Sequence, residues 1–180
     1  MTVTFCGHSK INQTDGFSRW LDMILPSLIE GGATTFYLGG YGAFDGLAAA
    51  AVRKQKETYP HIELILVLAY LNRDIDASRY DSTTYPPLET VPPRYAIVKR
   101  NEWMVHESDV VISGVTHSWG GAAKTLEFAQ RKKKVIFQYP TQAGERINLC
   151  IRGPPHPCKK SCSALCWYKK KSGSDFYAVF

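Results

Sequence analysis

Residues 35–47, Thr35-Phe36-Tyr37-Leu38-Gly39-Gly40-Tyr41-Gly42-Ala43-Phe44-Asp45-Gly46-Leu47, decide the reading of this chain. A short apolar run enters a glycine-rich turn, and the turn passes at once into the alanine-rich stretch Leu47-Ala48-Ala49-Ala50-Ala51-Val52, so the segment reads as strand, turn, helix. In a parallel sheet such a turn lies at the carboxyl end of its strand, where glycines let the backbone approach a ligand and the free N–H groups of a helix attract anions. That points to a phosphate-bearing small molecule. The spacing Gly39-Gly40-x-Gly42 matches neither the dinucleotide fingerprint nor a P-loop, and a tight turn with close helix packing explains the same glycines equally well.

Outward from this unit, strand and helix patterns alternate. Thr2 to Cys6 is a β-rich run ended by Gly7-His8-Ser9. From Asp15 onward Phe17, Trp20, Leu21, Ile24, Leu25 and Leu28 recur at helical spacing; Pro26 predicts a kink and Gly31-Gly32 a stop. Thr34 to Leu38 is the second strand and Ala43 to Tyr59 the second helix. Ile62 to Leu68 is a continuous apolar run, the pattern of a strand buried on both faces, which places it near the sheet's centre. Residues 69–93, with Tyr70, Tyr80, Tyr85 and two Pro-Pro pairs, show no period and read as a functional loop or as an ordered excursion over a sheet edge. Tyr95 to Glu107 reads as a helix, Asp109 to Ser113 as a strand ending at Gly114, Ala122 to Arg131 as a helix and Lys134 to Gln138 as the last strand.

The expected fold is therefore α/β: a Rossmann-like open parallel sheet of about five strands with helices on both faces, spanning residues 1–140. An irregular cysteine- and lysine-rich extension, residues 141–180, follows it. The turns Gly39 to Gly42 and Gly114 to Gly121 both link a strand to a helix, and two such turns at one edge of a sheet make a cleft.

The formal charge of the 180 residues is +6, but the excess sits in Arg131-Lys132-Lys133-Lys134 and in the C-terminal lysines, which argues for helix ends and a tail rather than a nucleic-acid groove. No apolar run approaches the roughly 20 residues of a membrane span and no leader-like segment opens the chain, so a cytoplasmic location is expected. Of five cysteines, Cys6 stands alone and Cys150, Cys158, Cys162 and Cys166 cluster late, unlike a secreted disulfide framework. On one straight helix Cys158 and Cys166 would lie about 12 Å apart, too far to share a zinc; a zinc site would need Cys150 or His156 to join Cys158 and Cys162 through a bend, and the favoured expectation is a loosely packed tail without a metal.

Four motifs in order, Cys6-Gly7-His8, Gly39 through Asp45, Arg100-Asn101 and Gly120-Gly121-Ala122-Ala123-Lys124-Thr125, resemble the SLOG superfamily, in particular its small stand-alone bacterial and phage members. The resemblance covers residues 1 to about 140. It implies a Rossmann-like fold that binds nucleotides or nucleotide-derived ligands. That superfamily includes the lonely-guy phosphoribohydrolases, the DNA-processing A proteins and sensor domains of antiviral systems that recognise signals derived from NAD. It implies a ligand set of Gly7, His8, Gly39, Gly40, Tyr41, Gly42, Asp45, Arg100, Asn101, Gly114, Trp119, Gly120, Gly121 and Thr125, and a homo-oligomer. Where the phosphoribohydrolases carry Thr and a helix-borne Glu, this chain has Ala43 and Asp45, and Ser9-Lys10 stand where relatives often have an Arg.

Each residue also has a plain structural role. Asp45 is a ribose acceptor, the catalytic carboxylate if the protein is an enzyme, or a helix N-terminal charge. Arg100 is a bidentate phosphate contact or a solvated helix residue. Trp119 and Tyr41 stack on an adenine or pack under a loop. The favoured expectation is a protein that binds an ADP-ribose-like or cyclic nucleotide signal without a further cofactor. The alternatives are an N-glycosidic hydrolase of a nucleoside monophosphate and, less favoured, a single-strand nucleic-acid binder. Valine at both Gly120 and Gly121 should remove the ligand and spare the fold, provided neither glycine needs positive φ.

Overall fold

The computed structural model describes residues 1–12, 14–72 and 76–140, with the backbone of two short strands beyond them. In chain order the elements are β1 (Thr2–Gly7), α1 (Thr14–Glu30), β2 (Thr35–Leu38), α2 (Ala43–Gln55), β3 (Glu63–Val67), β4 (Ser82–Thr84), α3 (Ala96–Glu107), β5 (Val110–Gly114), α4 (Gly121–Arg131) and β6 (Val135–Gln138). The strands form one sheet in the order β4-β3-β2-β1-β5-β6, and every pairing is parallel.

Strand alternation divides the core in two. Val3 and Phe5 of β1, Phe36 and Leu38 of β2 and Val110 and Ile112 of β5 face α1 and α2, where Phe17, Leu21, Leu25, Phe44 and Val52 complete a large apolar cluster. The opposite parity, Cys6 and Val111, meets Val105 of α3 and Leu126 and Ala129 of α4 in a smaller one. Each fully buried Leu or Phe of this kind contributes about 1.5–3 kcal/mol, and both sheet faces are covered, as a parallel sheet requires. Helix α1 runs unbroken through Pro26, which removes one intrahelical bond near its C-terminal end without ending the helix.

Two expectations need correction. The sheet has six strands, because Ser82–Thr84 inside the irregular 69–93 stretch pairs with Ile65–Val67. Three residues carry no readable period. What seats them is the preceding Asp81, whose carboxylate accepts from the Leu64 amide (2.7 Å) and also pairs with Lys56. Consequently β3 lies one strand in from the edge rather than at the centre, and β1 and β2 occupy the middle. Its apolar run is explained all the same, since β4 shields the outer side. Strict alternation also lapses here, as only a 3₁₀ turn, Ala77–Arg79, lies between β3 and β4.

Within the C-terminal extension, β7 (Cys166–Lys169) and β8 (Phe176–Val179) pair antiparallel. Cys150, His156, Cys158 and Cys162, whose spacing was weighed above for a zinc, lie outside the described residues. No described helix is long and apolar enough to cross a membrane.

The chain leaves β1 for β2, β3 and β4 on one side, then crosses by α3 to β5 on the other side of β1. The carboxyl ends of β1 and β5 therefore flank the topological switch point, where open α/β sheets place their ligands.

Candidate functional site

Two glycines set the entries to the helices at this edge. Gly42 (φ 93°, ψ 171°) precedes α2 and Gly120 (φ 91°, ψ −179°) precedes α4, in one backbone conformation that is essentially closed to other residues. The two helix ends nevertheless differ. At α2 the Ala43 amide donates to the Ser9 carbonyl (2.9 Å), and Asp45 folds back so that its Oδ2 accepts from the Tyr41 amide (3.0 Å). At α4 no side chain caps the helix, and the Cβ side of Gly121 is open space. The positive end of α2 is thus already met by a carboxylate, whereas that of α4 faces the cleft.

Most of the other glycines are required by packing. A Cβ at Gly7 or Gly114, cross-strand partners at the ends of β1 and β5, would come within 2.2 Å of the Phe44 ring. A Cβ at Gly39 would lie 2.3 Å from the Arg100 guanidinium, and one at Gly42 2.6 Å from Ser9 Cα. Gly40 adopts φ 73°. Gly39, Gly40, Gly42 and Gly114 thus form the support behind the cleft, and Gly7, Gly120 and Gly121 line it.

Arg100 is buried at 2 % exposure, not solvated. Its Nη1 donates to the carbonyls of Gly39 (2.7 Å) and Val67 (2.8 Å), tying the ends of β2 and β3 together, and its Nε donates to Asn101 Oδ1 (2.9 Å). Asn101 Nδ2 in turn donates to Thr125 Oγ1 (3.3 Å), which donates to the Gly121 carbonyl (2.9 Å). This chain of bonds runs from one glycine turn to the other beneath the cleft. The guanidinium also lies 5.3 Å from the Tyr41 ring centroid. Burial raises the Asp45 carboxyl to about 6, against the opposing pull of the Tyr41 amide and the Arg100 charge. Burial likewise lowers Arg100 from its usual value, with Asp45 resisting.

Across the cleft, three rings stack. His8 lies on His117 (centroids 3.4 Å apart, planes 16° apart) and His117 on Trp119 (3.9 Å, 20°). His8 is buried, and its Nε2 accepts from the amides of Thr116 (3.1 Å) and His117 (3.3 Å), which puts the neutral ring's proton on Nδ1. Burial first, and His117 second, lower the His8 pKa. Trp119 ends the stack at 71 % exposure. Two buried polar atoms among the described residues that border this space lack a hydrogen-bond partner, Tyr41 Oη and His117 Nδ1.

The cleft has a volume of about 490 Å³ and brings together His8, Tyr41, Asp45, Arg100, Asn101, Trp119 and Thr125 of the expected set. On the far side of the 115–119 segment lies a second, shallower cleft of about 450 Å³ between β6 and α4. Sequence reasoning missed His117 and Lys10, which also line the main cleft. The signal for His117 was its place two residues before Trp119 in the turn between β5 and α4. Cys6 borders the cleft too, but burial pushes its thiol up to about 12, so it is an inert thiol. No group of His, Cys, Asp and Glu among the described residues is arranged to hold a metal.

No protein-family model matches the chain, and no curated protein does. Solved structures do match. DNA processing protein A from Helicobacter pylori, described for its single-stranded DNA binding mode, is 18 % identical with a TM-score of 0.54, over 81 % of this chain and 67 % of its own. A molybdenum cofactor binding protein from the phototrophic bacterium Rippkaea orientalis is 19 % identical, TM-score 0.55, over 76 % of this chain and 74 % of its own. DNA processing protein A from Streptococcus pneumoniae is 16 % identical, TM-score 0.56, over 76 % of this chain; the match spans about half (49 %) of that protein. At these identities the likeness is one of fold.

Proposed function

We propose that this protein binds a nucleotide-derived small molecule at the switch-point cleft and holds it without turning it over, as a member of the SLOG superfamily. One observation carries the reading: an exposed Trp119 face, continuing a ready-made ring stack, stands directly beside the uncapped N-terminus of α4. A planar heterocycle on Trp119 and a phosphate at the amides of Gly121 and Ala122 fit the two features together. Tyr41 Oη and His117 Nδ1 supply hydrogen-bonding groups that the fold itself leaves unpaired. The neighbours' ligands, a molybdenum cofactor in one and single-stranded DNA in another, are compatible with a cleft built for ring and anion.

Binding without turnover is favoured because the groups a hydrolase would present are already engaged. Asp45 Oδ2 holds the Tyr41 amide and Arg100 Nη1 holds two carbonyls. A second reading, N-glycosidic hydrolysis, rests on the Asp45 carboxyl at about 6, a value suited to proton transfer near neutrality. Chromatography that detects free base from a nucleoside monophosphate, lost in Asp45→Asn, would move the assignment there.

The direct experiment is mass spectrometry of molecules released from the purified protein by heat, followed by calorimetry against ADP-ribose, AMP, cyclic AMP and an oligothymidylate. A nucleotide ligand tighter than about 100 μM, roughly −5.5 kcal/mol, is expected. Trp119→Ala should weaken it about tenfold, the loss of one stacked ring. Because Gly120 has positive φ, the valine test falls on Gly121 alone: Gly121→Val should abolish binding with the melting curve unchanged. No binder in the panel, or full affinity in both variants, refutes the reading. A preference for the oligonucleotide with steep salt dependence would shift it to nucleic acid.

A further inference from the structure

Val115 is buried and held by Ser113 Oγ and Gln138 Nε2, but beyond it the hydrogen bonds that anchor Thr116 and His117 end on one titratable atom. His8 Nε2 accepts both the Thr116 and the His117 amide, so the loop joining β5 to α4 is pinned to β1 by a single lone pair. An imidazolium has no acceptor: adding a proton at Nε2 would set N–H against two N–H groups and place a cation face to face with His117 at 3.4 Å. The loop has room to respond, with a cleft of about 490 Å³ on one side and one of about 450 Å³ on the other.

We propose that protonation of His8 unpins residues 116–119 and dismantles the Trp119 stacking face, so that the cleft is assembled at neutral pH and opens on acidification. Its structural half stands on the hydrogen bonds alone; its consequence for capture rests on the ligand reading above. The sign follows from the geometry. The pinned state requires neutral His8 and so resists protonation, in keeping with its lowered pKa, while the released state titrates near the ordinary value of about 6.5. Acid therefore draws the equilibrium toward release. The other ionisable groups bordering the same cleft are His117 on the loop, Lys10 and Cys6 beside His8 on its own strand and turn, Asp45 on α2 and Arg100 on α3. Of these Cys6 stays protonated and Asp45 titrates nearby, at about 6.

The test is NMR of the isotopically labelled full chain between pH 7.5 and 5. Expected are an Nε2 shift at neutral pH typical of an unprotonated, hydrogen-bond-accepting nitrogen and, on acidification, loss of protection at the Thr116 and His117 amides. That loss should approach tenfold per pH unit after correction for intrinsic exchange. His8→Gln places a carbonyl oxygen near Nε2 and cannot titrate, so protection should stay flat; the wild-type titration decides the matter alone if that variant does not fold. An Nε2 proton at neutral pH, or protection that persists once Nε2 is protonated, overturns the proposal. So does a transition that vanishes in Asp45→Asn, which would assign it to Asp45. Calorimetry with ADP-ribose, whose pyrophosphate does not titrate in this range, should show affinity falling with acid in the wild type and not in His8→Gln. If ADP-ribose does not bind at any pH while the amides behave as described, the ligand reading fails and the loop switch stands.

Discussion

Replacing Gly114 by alanine tests whether the Phe44 ring is the wedge that fixes α2 against the cleft floor. The new Cβ would lie 2.2 Å from Phe44 Cε2, and ordinary contact begins at 3.4 Å, so ring or strand must retreat by about 1.2 Å. Neither has slack: Phe44 is fully buried and meets Phe17 edge-on at 5.4 Å, and Gly114 sits in register with Gly7 at the carboxyl ends of β5 and β1, flanked by paired strands on both sides. Overpacking of this kind costs about 1–3 kcal/mol, and we expect the upper end, partly offset by the roughly 0.4–1 kcal/mol that alanine gains by restricting the unfolded chain. Phe44→Val alone should cost roughly 2–3 kcal/mol through the cavity it leaves. Valine lacks Cδ, Cε and Cζ, the atoms that Gly114 meets. In that background Gly114→Ala should therefore cost less than about 1 kcal/mol, a coupling of about 2 kcal/mol. Urea unfolding of the four proteins measures it; at an m-value of about 2 kcal/mol/M the single alanine moves the midpoint by roughly 1 M. A neutral or stabilising Gly114→Ala, or costs additive within about 0.5 kcal/mol, would refute the wedge.

Asp45 should leave a signature in stability against pH. Its folded value, about 6, lies above the ordinary carboxyl value of 3.8, so the folded state binds the proton more tightly and stability falls as pH rises through that window, by roughly 3 kcal/mol in all, then levels off. Urea midpoints from pH 4 to 8 should show Asp45→Asn gaining on the wild type across that range, and parallel curves would contradict the buried carboxyl. Arg100→Lys should cost about 2–3 kcal/mol, since one ammonium cannot serve Gly39, Val67 and Asn101 together. A thermal melt within 1–2 °C of the wild type would count against that strut, because this cost corresponds to a drop of at least about 4 °C.

The fold class was legible in the amino-acid sequence because parallel strands and amphipathic helices announce themselves by local period. Val3 and Phe5, Phe36 and Leu38, and Val110 and Ile112 each alternate, and Phe17 through Leu28 keeps the helical step. The same locality explains what was missed. β4 is three residues long, and the Asp81 contact that seats it spans 17 positions. Which side of the site each glycine serves was likewise a tertiary matter: Gly7 and Gly114 clear space for a ring 37 and 70 positions away, and that distance leaves no trace in spacing. Residue type marked Asp45, Arg100 and Trp119 as candidates. Only the folded chain decided that Arg100 is a buried strut, that the end of α2 is met by its own carboxylate while that of α4 is open, and that His117 joins His8 to Trp119, because burial, hydrogen-bond direction and ring contact are properties of what comes together in space.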